Sequence, residues 1–209
     1  MFQIQNHQTL VPDRDELKAL RQGFARDHFI HLHQLIEASL LAAIGQMIDS
    51  QNFDERLTPT IGCVERCKDP RIDNGFSALL NHPQVRDTIS AIVNQPIDLW
   101  GGNTVRRIPG KNHFSAWHND KHPPFQGADG HQYQRVVPLS LNISEGLFDG
   151  GNLEMRSVPD HTLLADIANP VPGDGLLFEI SEGLQHRVAD VTGGVPRMVH
   201  VGWFHHRVG

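Results

Sequence analysis

Residues Pro172–His205 read PGDGLLFEISEGLQHRVADVTGGVPRMVHVGWFH. Three short β-type runs, Leu176–Ile180, Gln185–Val191 and Pro196–His205, are set apart by glycine-rich punctuation at Pro172-Gly173-Asp174-Gly175 and Thr192-Gly193-Gly194-Val195-Pro196. Runs of this length bounded by Gly, Pro and Asp are strand signals. The same pattern extends back to Ile97 through Ile97–Ile108, Arg135–Ser144 and Gly151–Ser157, and Asp149-Gly150-Gly151-Asn152 reads as a tight hairpin. Several strands at close spacing predict a sandwich or barrel-like double sheet.

Ahead of Ile97 the signals are helical. Asp13-Arg14-Asp15-Glu16 places acidic residues in the first turn of a helix to about Arg26, where they suit the positive end of the helix dipole. Phe29-Ile30-His31-Leu32 reads as a short strand, Glu37 to Ile48 as a second helix, and Asn81 to Asn94 as a third with Val85, Ile89, Ile92 and Val93 on one side. Residues 51–75 are polar, contain Cys63 and Cys67, and read as irregular. Helices first and strands second predict one α+β domain over 1–209. Its helical part covers about 1–95 and packs on one face of a β-sandwich over about 96–209.

The bulk numbers narrow the function. The 209 residues suffice for one sizeable core. Lys plus Arg is 18 against 24 Asp plus Glu, and this net charge of -6 argues against general affinity for nucleic acid. The opening MFQIQNHQTL lacks the basic and apolar regions of a signal peptide, and no long apolar run suggests a membrane span, so a cytoplasmic location is expected. Cys63 and Cys67, without a second pair, are expected to be reduced thiols rather than a zinc site. The 14 histidines raise the prospect of a metal, because neutral imidazole is the commonest metal ligand.

Trp117-His118-Asn119-Asp120 is the sharpest local feature. Two positions apart on extended backbone, His118 and Asp120 project to the same side and can reach one ion. An imidazole and a carboxylate make two thirds of a facial triad, which leaves positions open on Fe(II). His186, in Gly183-Leu184-Gln185-His186-Arg187-Val188, can complete it from a later strand. Arg197 follows after a Gly-Gly turn and a proline, and a hairpin there would bring it beside His186, where a guanidinium can grip a carboxylate through paired hydrogen bonds.

At this point the chain resembles the 2-oxoglutarate- and Fe(II)-dependent dioxygenases, in particular their prolyl-4-hydroxylase-like and phytanoyl-hydroxylase-like members. The resemblance rests on His118-x-Asp120, on His186-Arg187-Val188 through Arg197, on Asp149-Gly150-Gly151-Asn152-Leu153-Glu154, on Pro172-Gly173-Asp174-Gly175-Leu176-Leu177-Phe178 and on Gly23-Phe24-Ala25-Arg26-Asp27-His28-Phe29. It implies a double-stranded β-helix, the jelly-roll or cupin-like core, with the N-terminal helices on one sheet. It implies that His118, Asp120 and His186 bind Fe(II), and that Arg197 pairs with the distal carboxylate of 2-oxoglutarate, with O2 as the oxidant. Where relatives often carry a tyrosine, this chain has Arg107; where they carry Ser or Thr two residues after the arginine, it has Val199, so Asn103 and Thr104 are the expected polar partners. The implied reaction couples oxidative decarboxylation of 2-oxoglutarate to hydroxylation of an unactivated C–H, and the carboxylate at 120 favours hydroxylation over halogenation. The substrate is expected to be an amino acid or other small metabolite, since the Gly-, His- and Pro-rich segment Lys121–Gln134 is long enough to close over it. A peptidyl or carrier-bound substrate is the alternative, and a non-catalytic ligand-binding jelly roll a third. Oligomeric state is left open.

Overall fold

The computed structural model describes residues 1–58, 62–111 and 113–208. A small ribbon of β1 (Gln3–Ile4) and β2 (Thr9–Leu10) leads into α1 (Arg14–Asp27), β3 (Phe29–Leu32) and α2 (Ala38–Met47). Next come β4 (Phe53–Thr58), β5 (Gly62–Cys67), α3 (Pro70–Leu80) and α4 (Pro83–Val93). The rest is β: β6 (Leu99–Arg107), β7 (Phe125–Gln126), β8 (Gln132–Asn142), β9 (Phe148–Gly150), β10 (Leu153–Ser157), β11 (Leu163–Ile167), β12 (Gly175–Phe178), β13 (Leu184–Val188), β14 (Val191–Gly194) and β15 (Arg197–Val208).

Local chemistry fixes the helix ends. The Asp13 carboxylate accepts the backbone N–H groups of Asp15 and Glu16 at the start of α1, and His28 closes it in the left-handed region. Asp69 caps α3 in the same way, ahead of Pro70 in the first turn. In α3, Ile72, Phe76 and Leu80 recur every four residues and are buried.

The large sheet runs β3-β12-β8-β15-β6-β5-β4, with β7 pairing β8. One face carries the helices: Leu139, Leu141, Leu177, Met198 and Phe204 pack with Phe76, Leu80, Ile89 and Ile92. The other face meets a smaller sheet, β11-β10-β13, through a second core of Leu153, Met155, Ile167, Leu176, Phe178 and Leu184. Within β12, Leu177 serves the first core and Leu176 and Phe178 the second, as strand alternation requires. A two-stranded sheet, β14-β9, closes the same side. This is the mixed fold expected, with helices on one sheet of a jelly-roll core.

Four expectations are corrected. Residues 51–75 are not irregular: β4 and β5 pair in full register from Phe53↔Cys67 to Thr58↔Gly62, and α3 begins at Pro70. The exposed edge strand β4 buries none of its six side chains, so its sequence carries no alternation. The stretch Asp149–Asn152 is a turn but not a hairpin, because β9 pairs β14 while β10 pairs β11 and β13. Thr192–Gly194 is itself strand β14. Consequently Arg197 does not lie on the strand beside His186: β13 sits in the small sheet, and β15 lies between β8 and β6 in the large one. Finally, β11 was not foreseen, because Leu163 and Leu164 are apolar yet exposed.

Candidate active site

His118 leaves β6 on an extended segment that pairs with β13. Its N–H donates to the His186 carbonyl at 3.1 Å and the His186 N–H returns the bond at 2.9 Å, so the two histidines face each other across the pair. Asn119 points the other way and pins the segment through its amide to the carbonyls of Ser181 and Leu184. Alternation then returns Asp120 to the side of His118.

Ligand-type atoms converge there. His118 Nε2 lies 3.7 Å from Asp120 Oδ1, and His186 Nε2 lies 3.4 Å from Asp120 Oδ2. One ligand atom from each residue falls within 4.8 Å of the others. The Ala116 carbonyl can only accept, so the 2.7 Å contact assigns a proton to His118 Nδ1 and leaves Nε2 with its lone pair. The edge of Phe178 contacts the His186 ring at 4.8 Å between centroids. Burial and the neighbouring His186 hold the His118 imidazole below its ordinary pKa, which favours the neutral, ligating form. Burial pushes the Asp120 carboxyl upward, but its contact with His186 and the charges of His186, His118 and Arg135 outweigh this and hold it low.

Two residues not anticipated as contacts hold Asp120. The Trp203 indole N–H donates to Oδ2 at 3.0 Å, and Arg135 donates to the Asp120 backbone carbonyl at 3.1 Å. Arg135 also stacks over the Trp203 ring at 3.6 Å. Alternation along β15 places Trp203 on the face of Arg197. Arg135 reaches the site through a register shift between β8 and β15 at Phe204/His205, which simple alternation does not foretell.

Arg107 and Arg197 are direct register partners on β6 and β15 and therefore share a face. Both are buried. Arg107 donates to the Cys63 carbonyl at 3.3 Å, and Arg197 reaches only Ser140 Oγ at 3.5 Å, with its Nε unpartnered. Among the described residues neither forms an ion pair with a carboxylate. Burial lowers Arg107 to about 10 and, aided by the charge of Arg107, lowers Arg197 to about 9. Asp190 stands near Arg107 without forming an ion pair, so the two adjacent buried cations are only partly balanced, which is costly, and an anionic ligand removes that cost. A cleft of about 530 Å³, lined in part by Arg107, Lys111, His113 and Thr192, opens beside them.

The other expected polar contacts divide. Asn103 shares the inner face of β6 with Arg107, and its amide oxygen accepts from Arg66. Thr104 is corrected: it lies on the opposite, helix-covered face, fully buried, with its hydroxyl 3.1 Å from His200 Nδ1. His200 joins it there, stacked on Phe76 at 4.2 Å, and does not line the site. Cys63 and Cys67 are free thiols. The segment after Asp120 is partly ordered as a hairpin in which Phe125 and Gln126 pair with Tyr133 and Gln132. No helix is long and apolar enough to cross a membrane.

Comparison with known proteins agrees with this geometry. Residues 103–205 match the model of the 2OG-Fe(II) oxygenase superfamily. None of the curated proteins matches the sequence. Among solved structures, a Pseudomonas putida prolyl-4-hydroxylase is similar at TM-score 0.66 and 23% identity, over 92% of this chain and 100% of its own. A Burkholderia pseudomallei oxidoreductase of the 2OG-Fe(II) oxygenase family gives TM-score 0.65 and 11% identity, over 98% and 96%. A Trichoplax adhaerens prolyl hydroxylase, solved with a hypoxia-inducible-factor peptide, gives 0.59 and 15%, over 92% and 94%. These likenesses establish the shared fold, and the family match spans the arginine pair, Asp120 and both histidines. The family match thus covers just under half of the 209-residue chain, and over residues 103–205 the chain is similar to the 2OG-Fe(II) oxygenase superfamily in sequence as well as in fold.

Proposed function

We propose that His118, Asp120 and His186 hold the iron, that Arg197 together with Arg107 holds the distal carboxylate of 2-oxoglutarate, and that the enzyme hydroxylates an amino acid or other small metabolite. The observation that carries this reading is the juxtaposition itself. A convergent His–Asp–His set shares one sandwich with two buried guanidiniums that form no ion pair with a carboxylate among the described residues. The donor set suits the metal: two imidazoles and one carboxylate form the facial arrangement that leaves positions open on Fe(II). The arginines suit a carboxylate, with the orphaned Arg197 Nε ready to donate.

When bound, iron and 2-oxoglutarate supply the oxidative decarboxylation that drives hydroxylation. The chain's own residues position and shield. Ala116 fixes the His118 tautomer, and Trp203 and Arg135 hold Asp120 in place. Phe178 contacts His186 from the apolar core and limits water around it. The hairpin after Asp120 packs Phe125 against Tyr133 and His205, and its length, sufficient to close over a small molecule, is the ground for a small substrate over a polypeptide. We read residues 1–209 as one domain, because the helix-side core draws on helices and on β-strands alike.

The test is anaerobic. Metal-free protein receives Fe(II) and then 2-oxoglutarate, and the visible charge-transfer absorption of the chelate is followed. A saturable band that disappears in His118→Ala is expected, followed by succinate release on screening amino acids and related small acids. A band that survives His118→Ala unchanged would remove His118 from the site. Turnover with peptides alone would replace the substrate class.

A further inference from the structure

Among the described residues two clusters of ligand-type side chains lie outside the dioxygenase site: Glu55, Cys63 and His113, and His31, His33 and Asp174, of which the second offers two imidazoles and a carboxylate, with Asp174 buried, His31 half-buried and His33 exposed. His31 stands on edge strand β3, and His33 follows just past its end, with buried Leu32 between them pointing inward. β3 pairs with β12 through Gly175↔Leu32, so the residue before Gly175, Asp174, arrives beside both histidines. One oxygen of Asp174, Oδ1, is fixed by the Gln34 N–H at 2.8 Å. The other, Oδ2, lies 2.7 Å from His31 Nε2 and 3.5 Å from His33 Nδ1. The two rings are 4.2 Å apart and tilted by 34°.

We propose that His31, His33 and Asp174 form a second metal site, for a divalent ion of the zinc class, which staples edge strand β3 to the turn before β12.

Four features point to an ion rather than to an ordinary histidine–carboxylate pair. First, the spacings fit. Ligand atoms about 2.1 Å from a tetrahedral zinc lie roughly 3.4 Å from one another; the 3.5 Å contact of His33 matches that separation, and the 2.7 Å contact of His31 would open as the ion enters. Second, His31 Nε2 is buried and, though 2.7 Å from the carboxylate, lies off the direction of a well-aligned hydrogen bond. Elsewhere His28–Glu179 at 2.7 Å and His206–Asp98 at 2.9 Å do align as hydrogen bonds. The unaligned geometry recurs at His118–Asp120 and His186–Asp120, where the atoms converge on a common point. Third, the buried amide of Asn169 lies beside His31 with neither of its polar atoms partnered among the described residues. Fourth, one ligand-type atom from each of the three residues falls within 4.8 Å of the others, as in the His118, Asp120 and His186 set. Two imidazoles and a carboxylate are borderline-soft donors, which suits zinc, cobalt or nickel better than calcium or magnesium. His33 is exposed, so the ion can enter from solvent and keep a water ligand.

The test counts ions. Metal-free full-length protein is dialysed against Zn(II), and Co(II) absorption reports tetrahedral coordination. Wild type is expected to hold two ions per chain. His33→Ala, which alters an exposed side chain, and Asp174→Asn, which keeps an acceptor for Gln34, are each expected to hold one. His118→Ala is also expected to hold one, lost when His33→Ala is added. Zinc is expected to raise the melting temperature of His118→Ala and to leave the double variant unmoved. A single ion in wild type, lost in His118→Ala and retained in His33→Ala, would overturn the second site and leave the first standing. The reverse pattern would keep this proposal and sink the iron assignment.

Discussion

Arg107 and Arg197 illustrate what a residue can and cannot reveal on its own. In the sequence Arg197 is one arginine among several; its meaning comes from its place after His186 and a Gly-Gly turn. That spacing singled the residue out but gave the wrong route, since the two lie in different sheets. Arg107 faces inward, and its neighbour Arg106, as a regular strand requires, faces the other way and pairs with Glu65. Thr104 failed on the same rule, one position out of phase with Arg107. Trp203 and Ser140 were not legible as contacts, because their roles depend on which strand crosses opposite them. The arginine pair makes a graded prediction. A charge-assisted hydrogen bond contributes about 1.5–3 kcal/mol, so Arg197→Met is expected to weaken 2-oxoglutarate binding roughly 100-fold by this scale. Arg107→Met, whose guanidinium also serves the Cys63 carbonyl, is expected to weaken it roughly 10-fold. Anaerobic titration of the Fe(II) complex measures both. Unaltered affinity in Arg107→Met would reduce that arginine to a structural partner of Cys63.

At the scale of elements, the turn between β9 and β10 joins fold to site. Gly150 and Gly151 both take positive φ, at 72° and 66°, which side-chain-bearing residues adopt at a cost. The sequence marked this turn correctly. Its partner strands were missed, because a Gly-Gly turn looks the same whether it folds a hairpin or carries the chain between sheets. The second glycine has a further reason to lack a side chain: a Cβ on Gly151 would stand 2.6 Å from Cδ of Arg197. Gly151→Ala is therefore expected to push the Arg197 stem aside and to lower 2-oxoglutarate affinity about 10-fold, on top of a strain cost of about 1–2 kcal/mol. Gly130→Ala is the control, since Gly130 has φ 83° with open space around its missing Cβ. It should show the strain in a urea midpoint and leave the titration alone. If the two variants behave alike, Gly151 matters for its backbone and not for the arginine above it.

On the scale of the whole molecule, the large sheet separates two tasks. Its outer face packs on the helices and supplies stability; its inner face holds the site between the sheets. Helices before strands, with alternating apolar positions, made this division readable. The assignment of individual polar residues to a face was not, because strand bounds and bulges set the phase. His200 shows the consequence. It stands on β15 between Met198 and Val199 on one side and Val201 on the other, yet it belongs to the helix-side core, fully buried against Phe76. The Trp100 N–H approaches its Nε2 at 3.4 Å, so Nδ1 carries the proton and donates to Thr104. Burial lowers its pKa from 6.5 to about 3. The unfolded chain binds this proton near pH 6.5 and the folded chain does not, so unfolding takes up a proton across the interval between the two values. The contribution is complete above pH 6.5 and is lost progressively as pH falls toward 3. Between pH 7.5 and 5.5 this one residue should remove about 1.4 kcal/mol of stability. His200→Gln retains a donor for Thr104 and an acceptor for Trp100 but does not titrate. Urea unfolding at the two pH values should show the wild-type loss reduced by that amount in the variant, whatever its absolute stability. An equal loss in both would mean that His200 is protonated in the fold and that acid sensitivity arises elsewhere, with His205, lowered by burial to about 4, as the next residue to change.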